Sequence, residues 1–187
     1  MARTPSTMLA LGTRAPEFLL PDTVSGNSRS FADLKGKKGT IVMFICNHCP
    51  FVKHVNPELV RLGNTYIPRG IGMIAISSND VDNYPEDHPD KMRETARKEG
   101  YPFPYLYDAS QQTALDYQAA CTPDFYLFDA QDLLVYRGQL DSSRPGNDIP
   151  VSGEDLRKAV DDLLEGRPLS LDQKPSIGCN IKWKPDS

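Results

Sequence analysis

The run GTIVMFI at residues 39–45 constrains this chain more than any other stretch. It carries no charge and is rich in β-branched side chains, so it reads as a strand buried on both faces, as in a parallel or mixed sheet. It runs into Cys46-Asn47-His48-Cys49-Pro50, after which Phe51, Val52, Val55, Leu59 and Leu62 recur at helical spacing. Pro57 is expected to interrupt or kink that helix. A strand handing over directly to a helix puts the residues between them at the carboxyl edge of the sheet, where sites collect in open α/β folds.

The remaining pattern alternates in the same way. EFLLPDTVSGNSRSFADL reads as a hairpin turning at Gly26-Asn27, IGMIAIS (71–77) as a second buried strand, and DHPDKMRETARKEG as a polar surface helix. Asp87 or His88 is placed at its cap, Pro89 in its first turn and Gly100 at its end. PYLYD (104–108) is a short strand, SQQTALDYQAA (110–120) a short helix, and FYLFDAQDLLVYRGQL (125–140) a hairpin around Ala130-Gln131. Ser152 is expected to cap SGEDLRKAVDDLLEG with Asp155 as its capping-box partner and Gly166 as the stop. Leu156, Ala159, Val160, Leu163 and Leu164 form one apolar face. The expected architecture is a three-layer α/β sandwich with a mixed sheet and an N-terminal hairpin extension, in one domain spanning 1–187. Residues 1–10 read as a loose lead-in and 167–187 as a C-terminal tail.

A chain of 187 residues with 25% charged residues and a net charge of −4 is an ordinary globular one. It has no basic stripe for nucleic acid. Its apolar runs are too short to span a bilayer, and its first residues do not read as a signal peptide. A cytoplasmic setting is expected, in which Cys46, Cys49, Cys121 and Cys179 stay reduced and a close pair signals catalysis or metal.

Cys46, placed at the helix N-terminus, meets unpaired N–H groups and the positive end of the helix dipole, which favour its thiolate. His48, once protonated, adds positive charge beside it. Cys49, one turn deeper, stays a thiol until it resolves a mixed disulfide. Two other readings compete: a pair of inert core thiols, and a zinc site using Cys46, Cys49 and His54 with Cys121 or Cys179. No second close ligand pair exists, so no metal and no cofactor are expected.

The segments CNHCP, TPDFYLFD, DSSRPGN and PSIGCNIKWK resemble a peroxiredoxin-like bacterial subfamily of the thioredoxin-fold redoxins, over residues Leu11 to Lys184. The resemblance implies a thioredoxin-like fold with a redox-active pair at Cys46 and Cys49. It also implies a cis-proline at Pro123, with the backbone of Thr122 docking the substrate. The chain departs from those relatives in three places. Thr40 stands where thioredoxins bury an aspartate, leaving Glu58 or Asp124 as candidate bases for Cys49. Met43 and Pro123 stand where peroxiredoxins carry a threonine and an arginine; Arg137 and Arg144 are candidate substitutes for the latter.

The expected function is thiol–disulfide exchange, with Cys46 attacking, Cys49 resolving, His48 tuning and Thr122-Pro123 docking the substrate. The alternatives are a thiol peroxidase using the same cysteines and a copper- or zinc-handling carrier. Expected partners are protein or small-molecule disulfides, with peroxides as the alternative substrate, and a recycling thiol reductant; nucleic acid and membrane are not among them. Cys121 and Cys179 read as buried packing residues, Lys53 and His54 as a helix face, and Trp183 as the anchor of the tail.

Overall fold

The structure is a computed structural model describing residues 3–185. Its central strand, β4 (Gly39–Phe44), is buried at every position. It pairs in parallel with β5 (Ile71–Ser77) and antiparallel with β8 (Asp124–Asp129). β6 (Tyr105–Tyr107) and β9 (Leu134–Gly138) complete a five-stranded mixed sheet in the order β6-β5-β4-β8-β9. This is the expected thioredoxin-like sandwich.

The twofold alternation of β4 divides the core. Ile41, Met43 and Ile45 face the layer of α2 (Pro50–Tyr66), α3 (Pro89–Glu99) and α5 (Glu154–Leu164). Val42 and Phe44 face α1 (Phe31–Leu34) and α4 (Gln112–Asp116) through Phe31, Ala114 and Tyr117. Each of these wholly buried aliphatic side chains contributes about 1.5–3 kcal/mol.

Several local expectations change. α2 begins at Pro50 with Cys49 as its N-cap, because proline favours the first helical position, where its missing N–H is no loss. It then continues through Pro57 to Tyr66. Pro57 and Lys53, whose carbonyl loses its usual partner, are both exposed to water. α5 is not capped by a Ser152–Asp155 box. The Asp141 carboxylate accepts from the Ser152 and Gly153 N–H groups at 2.8 and 2.6 Å, while Asp155 accepts from Gln139.

The chain ends, expected to be a loose lead-in and a tail, form a second sheet. β10 (Ile177–Asn180) runs between β1 (Arg3–Pro5) and β7 (Cys121–Thr122), antiparallel to both. Four residues are too few to show a period, and their pairing partners lie far off in sequence. The anchor is Ile181, which is almost fully buried, rather than Trp183, which is 37% exposed. The remaining hairpin expected at the N-terminus is present as β2 (Leu19–Pro21) paired with β3 (Ser28–Ser30).

Gly178 shows how closely β10 is seated: a Cβ there would lie 2.0 Å from the Thr122 carbonyl oxygen. Gly178→Ala should therefore destabilise the protein by about 1–3 kcal/mol, the range for overpacking, read as a lower denaturation midpoint. An unchanged midpoint would contradict the seating of β10 on β7.

Candidate active site

β4 ends at Phe44, paired with Asp124 of β8. Continuing both strands toward the sheet edge brings Cys46 and Cys49 against Thr122-Pro123, whose peptide bond is cis. The Cys46 Sγ lies 3.5 Å from Thr122 Oγ1, and the Cys49 Sγ lies 3.3 Å from the Thr122 carbonyl oxygen. A third sulfur joins them. The Cys179 Sγ, on β10, is 2.8 Å from the Cys49 Sγ. No disulfide links these cysteines, and all are buried.

The loop between the pair is held by Asp87, which the sequence suggested as a cap for α3. His88 takes that role instead, accepting from the Asp90 N–H, and Asp87 turns inward. Its Oδ1 accepts from the Asn47 and His48 N–H groups at 2.8 and 3.3 Å. Its Oδ2 accepts from His48 Nδ1 at 2.6 Å and from Asn79 Nδ2 at 2.8 Å. Burial alone would push this carboxyl up, but the bonds from His48 and Asn79 keep it below the usual carboxylate range. A buried carboxylate without such partners would be costly. The His48 ring stacks on Tyr84 with 5.6 Å between centroids. Asn47 donates to the Glu86 carbonyl and accepts from Tyr105 Oη. Asp87 lies 39 or more positions from everything it holds in this loop, so only a long-range contact reveals its role.

The expectation from sequence placed Cys46 at the helix terminus; Cys49 occupies it. The strongest influence on Cys49 is the neighbouring Cys46 thiol, which against burial holds it below the ordinary thiol range. The Cys179 thiol and the Val52 N–H act in the same direction. The Cys49 Sγ is also placed to donate to the Thr122 carbonyl oxygen at 3.3 Å and to the Cys179 Sγ at 2.8 Å. Cys46 is pushed up, first by its hydrogen bond to Cys49, then by burial and by the negative Asp87. His48 is raised chiefly by its bond to Asp87, so its positive charge is offset by its own partner rather than directed at Cys46.

Other candidates are engaged elsewhere. Glu58 is paired with Arg61 and Arg157. Asp124 is fully buried, is bonded to Tyr126 Oη at 3.1 Å and is pushed up by burial to about 8. Arg137 donates to the Leu9 carbonyl and Gln173. Arg144 donates to Gln139 and to the Asp141 and Ser143 carbonyls. Cys121 is buried, its thiol pushed up by that burial. For metal, His54 does not join the cysteines, since its Nε2 pairs with Ser143 Oγ at 2.7 Å. Cys46, His48 and Asp87 do bring donor atoms within 4.8 Å of one another, but His48 and Asp87 already satisfy each other. The arrangement gathers the Cys46, Cys49 and Cys179 sulfurs around Thr122, and neighbouring thiols of this kind are suited to disulfide exchange.

The reduced protein should therefore show a first thiolate forming at lower pH than the ~8.5 of an ordinary cysteine, because Cys49 is held down. Ultraviolet thiolate absorbance reads it. Cys46→Ala removes the main donor and should move that step to higher pH; a first thiolate appearing only in the ordinary range would refute the assignment. Asp87→Asn removes the carboxylate that raises His48, so in ring-proton NMR the imidazole should lose its proton at lower pH. An unmoved titration would mean that the His48–Asp87 contact does not form in solution.

Comparison with known proteins finds the same fold in solved structures. The chain is similar along 100% of its length, and 99% of the other, to a crystal structure of an uncharacterized conserved protein from Geobacillus kaustophilus, at 57% identity and a TM-score of 0.98. A hypothetical protein from Sinorhizobium meliloti is 46% identical with a TM-score of 0.95, over 97% of this chain and 99% of that one. The thioredoxin domain of a thiol-disulfide oxidoreductase from Bacteroides vulgatus shares the fold at 21% identity and a TM-score of 0.64, over 83% of this chain and 99% of that one. Comparison with curated proteins finds no match. The AhpC/TSA family model matches residues 11–137, and with that match over most of its length this thioredoxin-fold chain belongs to the AhpC/TSA family.

Proposed function

We propose that this redoxin is a thiol–disulfide oxidoreductase in which Cys49 attacks and Cys46 resolves, the reverse of the order expected from sequence. The observation that carries the reading is the Cys49 sulfur at the start of α2, in contact with the Cys179 sulfur at 2.8 Å, where the helix terminus favours a thiolate. The Cys49 thiolate attacks one sulfur of a substrate disulfide, and the other sulfur leaves as a thiol after taking a proton. Cys46 then gives up its proton and attacks the Cys49 sulfur, forming Cys46–Cys49 and releasing the second substrate thiol. Asp87 and His48 act as positioning residues that fix the loop carrying both sulfurs.

A cleft lined by Phe51, His54, Pro123, Ser143, Arg144 and Ile177 runs beside the Thr122-Pro123 edge and offers a substrate its approach. The Bacteroides vulgatus neighbour is a domain of a thiol-disulfide oxidoreductase, an activity of the same kind as the one proposed. The reading implies disulfide substrates, a recycling thiol reductant and a cytoplasmic setting. No described helix is long and apolar enough to cross a membrane.

Membership of the AhpC/TSA family supports a second reading, a thiol peroxidase acting through the same sulfurs. Peroxide cleavage needs fixed donors where the departing oxygen gathers charge. Met43 is buried in the core on the α2 side, Pro123 has no N–H, and Arg137 and Arg144 donate to other groups. Disulfide exchange asks less, because the leaving atom is sulfur.

Reduced protein should therefore react faster with glutathione disulfide or a mixed disulfide than with hydrogen peroxide at matched pH, in second-order rate constants. Cys49→Ser should abolish both reactions, and Cys46→Ser should leave attack intact. A larger constant for peroxide, with a sulfenic acid trapped on Cys49, would overturn the choice.

A further inference from the structure

The edge expected to dock substrate is already covered by the chain itself. β10 pairs with β7 so that Cys179 stands opposite Thr122 and Asn180 opposite Cys121. Gly178 is what permits the close approach to the Thr122 carbonyl. Beyond it, the Ile181 N–H donates to the Ala120 carbonyl at 3.1 Å, and the Lys182 N–H to Asn79 Oδ1 at 2.9 Å. The strand is thus fixed on both sides of Cys179, which presents its sulfur 2.8 Å from the Cys49 sulfur. That is already within hydrogen-bonding contact, and less than 1 Å of approach separates it from the ~2.05 Å of a disulfide bond. Cys179 is pushed up to about 12 by burial and by its hydrogen bond to Cys49, so it is the protonated member of this contact.

We propose that Cys179 is a third redox-active cysteine, a resolving thiol for Cys49 besides Cys46. The proposal rests on the reading of Cys49 as the attacking sulfur. With a small disulfide R–S–S–R′, the Cys49 thiolate attacks the sulfur bearing R, the S–S bond breaks, and R′S leaves. R′S takes up the proton that Cys179 gives away, becoming R′SH. The Cys179 sulfur then attacks the Cys49 sulfur, the bond to R breaks, and RS leaves as a thiolate to be protonated by water. The two protein sulfurs supply two electrons, the substrate becomes two thiols, and the protein holds a Cys49–Cys179 disulfide.

β10 also divides substrates by size. A low-molecular-weight disulfide that leaves the strand in place meets Cys179. An extended peptide that needs the Thr122 edge must displace β10, which removes Cys179 and leaves resolution to Cys46. Low-molecular-weight disulfides are therefore the substrate class for the Cys179 route.

The test uses the full chain carrying Cys46→Ser, treated with glutathione disulfide and digested without reduction. The expected product is a cross-link between the fragments holding Cys49 and Cys179, with two thiols lost and almost no glutathione retained. A second variant, Cys46→Ser with Cys179→Ser, should instead keep about one glutathione per chain on Cys49. Glutathione held stably on Cys49 of the single variant, with Cys179 still alkylatable, would overturn the proposal while leaving Cys49 as nucleophile. A cross-link to Cys121 would overturn it as well. A Cys49 that takes up no glutathione and forms no cross-link in either variant would overturn the nucleophile reading together with the proposal.

Discussion

The register between β4 and β8 is the constraint on which the rest of the structure depends. β4 is wholly buried, so its backbone groups must pair with both neighbours, parallel to β5 and antiparallel to β8. With Phe44 fixed opposite Asp124, the two chains leave the sheet together, and the cysteine loop has to face Thr122-Pro123. A slip of one residue would exchange the two faces of the core, moving Met43 and Ile45 away from α2 and breaking the layer that supports the loop.

A buried charge completes what the register begins. Asp87 gathers four hydrogen bonds, three of them from Asn47 and His48, and so sets the path of the chain between the two sulfurs. Its negative charge also separates their behaviour, because it opposes a thiolate on Cys46 while the start of α2 favours one on Cys49. Removing one partner from a buried ionic contact of this kind typically costs about 3–5 kcal/mol. The loop is therefore a rigid mount, and the difference between two adjacent thiols arises from where that mount holds each of them.

The central strands, the helix faces and the mixed sheet were legible because each has a long, regular apolar period: Ile41, Met43 and Ile45 on one side of β4, Leu156, Ala159 and Val160 along α5. The cysteine pair was legible as chemistry from its spacing. The start of the helix was not, because Pro50 favours the first helical position and so leaves Cys49 rather than Cys46 at the N-cap. Asp87 resembled a helix cap because local sequence cannot show that a carboxylate turns inward. β10 escaped notice because Ile177–Asn180 is short and finds its partners across the molecule, so Cys179 read as a packing residue.

The central claim is that Cys49, not Cys46, is the reactive sulfur. The most direct measurement is brief alkylation of the reduced protein with a small reagent at mildly acidic pH, followed by mapping of the first cysteine labelled. Exposure does not favour Cys49, which is 0% exposed against 2% for Cys46, so preferential labelling would report thiolate character rather than access. The account predicts that Cys49 is modified first and that Cys46 follows only as the pH is raised. Label appearing first on Cys46 would contradict it.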